Sequence, residues 1–222
     1  LGILLAVCMV ITMNAVRAYA DSGVQDTKWD DYAATEFAGG TGTKDDPYRI
    51  ENGEQLAKLA KDVSARNTHK GEYFRLEKDV DLSAHRWIPI GDYGGISYES
   101  FEGFLDGNGK TISGMVVDQS KDKQSAGLFG HIYNTTAGNE VGVKDLTIAN
   151  AALYVDESIM DGPAQDVSAG ILVAGAMVET GYKGTGVFEN ISVSGTITVK
   201  ATNGYNKIGG LIGEDSRCIV RN

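Results

Sequence analysis

The chain has 222 residues, 42% of them hydrophobic, with 29 glycines and only 3 prolines. That is enough apolar material for one substantial core, which sets aside a wholly disordered chain. Acidic residues outnumber basic ones 30 to 20, for a net charge of -10, a balance that argues against nucleic acid as a partner because phosphates are bound by basic patches.

Leu1 to Val16 is almost continuously apolar but short for a bilayer span, and Ala18-Tyr19-Ala20 follows it. Small residues at the two alanine positions suit the shallow pockets of a signal peptidase, so residues 1–20 read as a secretory signal with Asp21 as the mature start. Cleavage there removes Arg17 and makes the remainder one unit more negative. No initiator Met or basic segment precedes Leu1, the pattern of a chain that has lost its first residues. Leu5-Ala6-Val7-Cys8 has the outline of a lipoprotein acylation box. Val7 is larger than the residue such a box carries before its cysteine, however, and the stretch after Cys8 stays apolar. With Cys8 removed, Cys218 is the only thiol and packing must supply the stability. The expected location is secreted or cell-surface, without an integral membrane span.

Residues 21–38 are polar and aperiodic and read as a leader or linker, with order expected from Gly39 onward. Gly39-Gly40-Thr41-Gly42-Thr43 and Asp45-Asp46-Pro47 are turn chemistry, and Tyr48-Arg49-Ile50 reads as a short strand. One helix follows: Asn52 caps it, Gln55 can return a hydrogen bond, and Leu56, Leu59, Ala60 and Val63 share one face. After Gly71 the pattern becomes strand-like, through Tyr73-Phe74-Arg75-Leu76, Val80-Asp81-Leu82 and Trp87-Ile88-Pro89-Ile90. Short apolar strands and glycine-rich turns then alternate to the end.

A repeat runs through this second part. Ala126-Gly127-Leu128-Phe129-Gly130 returns as Ala169-Gly170-Ile171-Leu172-Val173-Ala174-Gly175 and again as Gly209-Gly210-Leu211-Ile212-Gly213. Aligned on Gly127, Gly170 and Gly210, the copies lie 43 and then 40 residues apart, and the second copy carries a two-residue insertion. Between them, Asp145-Leu146-Thr147-Ile148-Ala149-Asn150 is echoed 45 positions on by Asn190-Ile191-Ser192-Val193-Ser194-Gly195. Alternate aliphatic and Thr or Ser positions suit strands with one buried and one wet face.

Two motif types in each period imply coils of about 20 to 22 residues, none of which can bury its apolar face alone. Stacking them puts Leu146 beside Ile191 and Ile148 beside Val193, with the helix over the exposed first coil. The expected fold is all-β: a right-handed parallel β-helix over residues 39–222 with an N-terminal capping helix and an open C-terminal end. A β-sandwich or a propeller also gives many short strands. A sandwich does not explain the recurrent Gly-Leu-Phe-Gly element at this period, and a propeller lacks visible blades.

With Thr41-Gly42-Thr43, Pro47-Tyr48-Arg49-Ile50, Asp79-Val80-Asp81-Leu82-Ser83, Phe104-Leu105-Asp106-Gly107-Asn108-Gly109 and Gly127-Leu128-Phe129-Gly130 in this order, the chain resembles bacterial surface proteins of the GLUG-motif type. Those motifs sit on pectin-lyase-like right-handed β-helices. The resemblance runs from Gly39 to Gly213 and implies a non-catalytic module of a longer chain. It also extends to adhesin-like proteins and to the non-catalytic regions of some immunoglobulin-degrading peptidases. An extracellular glycan or protein ligand is the compatible partner.

Carbohydrate-cleaving β-helices use acidic clusters with a basic residue, and Asp79, Asp81 and Asp106 with Lys110 or Arg86 are the residues that could fill those roles. Local hydrogen bonding in turns explains the same carboxylates without chemistry. An enzyme should bring several carboxylates and a Lys or Arg into one groove, whereas a display module should scatter them. Asp79 and Asp81 lie two apart, a spacing compatible with a shared calcium ion, yet no cofactor is assigned. His69, His85 and His131 have no ligand spacing and read as surface or loop residues, and neither an H-E-x-x-H nor a G-x-S-x-G motif occurs. No catalytic residue is assigned. Trp87 and Phe101 read as core, leaving Tyr93 and Tyr98 as candidate ligand-contacting rings on a glycine-rich excursion at residues 92–100.

Overall fold

The computed structural model describes residues 25–92, 99–119, 125–135, 138–156, 167–178, 185–200 and 206–221. Its N-terminal part holds β1 (Gln25–Lys28), a 3-10 turn at Trp29–Tyr32, β2 (Tyr48–Ile50), helix α1 (Gly53–Ser64), β3 (Tyr73–Leu76), β4 (Val80–Asp81) and β5 (His85–Arg86). The middle adds β6 (Phe104–Ser113), β7 (Val116–Asp118), β8 (Ser125–Ala126), β9 (Phe129–Asn134) and β10 (Glu140–Asp156). Last come β11 (Val167–Gly170), β12 (Val173–Val178), β13 (Thr185–Lys200), β14 (Asn206–Gly209), β15 (Ile212–Ser216) and β16 (Cys218–Arg221).

Asn52 caps α1 by accepting from the Gln55 backbone N–H at 3.0 Å. The Gln55 side chain returns the bond one residue earlier than expected, to the Glu51 N–H at 2.7 Å. Leu56, Leu59, Ala60 and Val63 are fully buried, so the 3.6-residue periodicity is that of a helix with a single core-facing stripe.

All strand pairings among the described residues are parallel. The main sheet runs β16-β13-β10-β6-β3-β2, and two smaller sheets run β14-β11-β8 and β15-β12-β9. From β8 onward the chain visits the three sheets in the same order on every pass, each pass lying on the one before. Leu146 pairs with Ile191, and Ile148 with Val193, as the repeat implied. Inward-facing side chains join one hydrophobic cluster that reaches from Trp29 to Phe188 and includes Trp87 and Phe101.

Two expectations are corrected. The structure pairs Gly170 with Gly209 rather than Gly210, and it pairs Val173 with both Phe129 and Ile212. The later copies therefore differ from the first by one extra corner residue, not two, and glycine-to-glycine alignment overlooked it. The segment read as a leader is also packed. β1 pairs with β5, Trp29 is 5% exposed, and its indole N–H donates to the Leu82 carbonyl at 3.1 Å. One tryptophan in a polar stretch gives no periodicity to read.

Corners are built from left-handed backbone. Asn108, Asp145 and Asn190 have φ of 52°, 52° and 53° on successive passes, and Asn and Asp tolerate that conformation better than other non-glycine residues.

Candidate functional site

The outward face of the main sheet carries the site, because strand register lines its residues up in rows. The inward row is Phe74, Leu105, Val143 and Phe188, all fully buried. One residue before it on each strand, Tyr73, Phe104, Gly142 and Val187 form an outward row. One residue after it, Arg75, Asp106, Lys144, Glu189 and Arg221 form a second outward row whose charges alternate in sign.

Between these rows lies a groove of about 430 Å3. Tyr73 and Phe104 stand at one end, their ring centroids 6.0 Å apart and 35° inclined. Gly142 follows in the row with φ of +137°, and the place a Cβ would take is already filled by the Val187 carbonyl, so no residue with a side chain fits here. Charged walls flank the floor: Lys144 meets Asp106 at 2.9 Å, Arg221 meets Glu189 at 3.0 Å, and Lys44 meets Glu140 at 3.8 Å. The hydrogen bond that Lys144 donates to Asp106, aided by Asp145, raises the Lys144 pKa and keeps its ammonium protonated.

The carboxylates singled out from the sequence accept from backbone N–H groups, Asp81 and Asp106 locally and Asp79 from a residue 32 positions on. Asp79 accepts from the Thr111 N–H at 2.8 Å, Asp81 from the Ser83 N–H at 2.9 Å, and Asp106 from the Asn108 N–H at 2.8 Å. Only Asp106 reaches the groove; Lys110 does not line it. Arg86 is buried against β1, donating to the Asp26 carbonyl at 2.6 Å and pairing with its carboxylate at 2.9 Å. Among the described residues no group of three His, Cys, Asp or Glu side chains could hold a metal ion. Tyr93 and Tyr98 lie outside the described residues. Of the residues that flank them, the Asp92 N–H donates to the Glu99 carbonyl at 2.8 Å.

Of the histidines read as surface or loop residues, His69 is a loop residue but buried, and His131, buried on β9, departs from that reading. His69 is 4% exposed, with Nδ1 at 2.6 Å from Glu72 and Nε2 at 3.4 Å from Asp62. His131 is 6% exposed and bonded through Nδ1 to the Ser100 hydroxyl at 2.7 Å. His85 is half-buried, its ring stacked on Tyr32 with centroids 4.0 Å apart. Sequence reasoning missed the groove because its residues come from five strands and the turn before β2, and only the fold brings them together.

No family model and no solved structure matches the sequence. The chain is 32% identical over 213 residues to a protein named Halomucin from Haloquadratum walsbyi, a match covering 92% of this chain and 2% of that protein. It is 30% identical over 193 residues to a protein named as a Gly-rich membrane protein from Evansella cellulosilytica, covering 84% of this chain and 18% of that one. The chain therefore spans a small part of the relatives it matches. No helix among the described residues is long and apolar enough to cross a membrane.

Proposed function

We propose that the chain is a segment of a right-handed parallel β-helix within a larger secreted or cell-surface protein. On this reading it is a pectin-lyase-like module of the GLUG-motif type that binds an extracellular ligand, or holds out a neighbouring domain, without catalysing a reaction. The observation that carries the reading is the in-register stack β6-β10-β13-β16, whose outward face forms a continuous groove. A stack of parallel passes makes a rigid, extended surface suited to contact. The names of the two relatives, one a Gly-rich membrane protein and the other Halomucin, agree with a surface setting.

A carbohydrate-cleaving enzyme is the second reading, favoured by the convergence of Asp106, Glu140 and Glu189 with Lys44, Lys144 and Arg221. Against it stands the raised pKa of Lys144, since a base that takes a proton from sugar must be able to lose its own. The test incubates the purified chain with neutral glucans, mannans and galactans, with polygalacturonate and alginate, and with mucin and fibronectin. Binding is followed by interferometry and cleavage by reducing ends and ultraviolet absorbance. Retention of one class without product is expected; product formation abolished by Lys144→Ala would establish the enzyme instead.

A further inference from the structure

The groove on the main sheet selects by its charge pattern. Its lining carries three cations, Lys44, Lys144 and Arg221, and three carboxylates, Asp106, Glu140 and Glu189, so its net charge is zero in a chain of net charge -10. Each cation is already paired with a carboxylate of the lining, at 2.9 to 3.8 Å. Such a groove offers no field that would draw in a polyanion, and the surrounding negative charge opposes one. A polycation would have to break three pairs.

Paired charges still hydrogen-bond: each carboxylate has acceptor sites, and each Lys or Arg has donors, beyond those its partner uses. Successive strands are about 4.8 Å apart, so from Tyr73 to Val187 the groove offers about 14 Å of length along the stack. Along it run an aromatic end, an apolar floor, and rims of alternating donors and acceptors. A peptide would lie on the face of the sheet, not on an edge, and would leave its backbone groups over Phe104 and Val187 without the ladder that strand addition provides.

On the reading that this groove is the ligand site, we infer that its ligand is an uncharged oligosaccharide. The apolar face of a sugar ring lies on Tyr73, in place of the Lys44 ammonium that sits 5.8 Å from its ring centroid, and the hydroxyls bridge the paired rims. The inference separates this groove from sites for acidic glycans, which need a net positive lining.

The test measures binding of the intact chain to short cello-, manno- and galacto-oligosaccharides, to oligogalacturonate and alginate oligomers, and to fibronectin. At least one neutral series should bind, with affinity changing less than about twofold between about 50 and about 500 mM NaCl. Tyr73→Ala should weaken that binding at least about tenfold while leaving the circular dichroism spectrum unchanged. Glu140→Lys moves the lining to a net charge of two positive, and should gain binding to the anionic oligomers. That variant keeps the inference testable if Tyr73→Ala does not fold. Wild-type binding restricted to anionic oligomers, or to fibronectin in a manner that Tyr73→Ala abolishes, overturns the ligand class and leaves the groove as the ligand site. Binding that neither substitution alters, or no binding at all, overturns the groove as well.

Discussion

Asn190 donates from its side-chain amide to the Asp145 carboxylate at 2.8 Å across a separation of 45 residues, and both residues hold left-handed backbone on adjacent strands. The bond ties two passes at their corner. It is also the largest cause of the lowered Asp145 pKa, with Lys144 adding to it. Replacing Asn190 by Ala removes the bond and places a Cβ-bearing residue without a local polar partner in left-handed backbone. The expected cost is about 1–2 kcal/mol, and about half that for Asn190→Gly, measured by urea unfolding. Because the folded pKa of Asp145 is depressed, its contribution is present above the ordinary carboxylate pKa and fades as pH falls through the lowered value. An NMR titration should find the Asp145 pKa higher in Asn190→Ala; an unchanged value would refute the link.

The glycines divide by what surrounds them. At Gly142 an added methyl meets a backbone oxygen at 1.9 Å, and φ is already +137°. Gly142→Ala should therefore cost about 3 kcal/mol or more in thermal unfolding. At Gly210, which the sequence repeat ranked with Gly127 and Gly170, nothing lies within 4 Å and φ is not in the left-handed range. Gly210→Ala should stay within about half a kcal/mol of the parent. Equal losses at the two positions would contradict the corrected register.

Burial falls along the stack and should be visible in mutational energies. Leu146 is 1% exposed between β6 and β13, whereas Ile191, its partner on β13, is only partly buried because β16 covers β13 over Gly186 to Glu189 and no further. Leu146→Ala should cost about 3 kcal/mol, and Ile191→Ala clearly less, since its surroundings already admit solvent. A larger loss at Ile191 would mean that the β13 face is covered in solution.

Much of this order was legible in the sequence, for a physical reason. Strands stacked in parallel must repeat their inward aliphatics at the coil period, so Leu146-x-Ile148 and Ile191-x-Val193 announce their pairing 45 residues apart. Asn52 and Gln55 announced α1 through local hydrogen bonding. The groove was different: Tyr73, Phe104 and Val187 are unremarkable on their own strands, and the alternating charges appear only when register sets Asp106 beside Lys144 and Lys144 beside Glu189. The burial of Trp29, His69 and His131 comes from neighbouring segments folding over them, which leaves no periodic trace.

His131 makes the fold acid-sensitive near neutral pH. It sits on β9 across from Gly175 on β12, which in turn pairs with Glu214 on β15. Its ring stacks on Tyr133 with centroids 5.6 Å apart, and its carbonyl accepts from the Phe101 N–H at 2.9 Å. Burial lowers its pKa from 6.5 to about 4, with Glu214 pulling weakly the other way. Below pH 6.5 the unfolded chain takes up a proton that the folded chain still refuses, so stability falls with pH until the folded form is protonated near pH 4. The shift corresponds to a loss on the order of 3 kcal/mol across that window. Ser100 bonds the ring and Phe101 bonds the His131 carbonyl, so the first opening should be local to these residues. The protection factor of the Phe101 amide, its exchange rate relative to the intrinsic rate at the same pH, should fall as the solution is acidified, ahead of those of the amides of β10 and β13. Thermal midpoints of His131→Gln should vary less over the same window than those of the parent, and identical pH profiles for the two proteins would show that the acid response arises elsewhere.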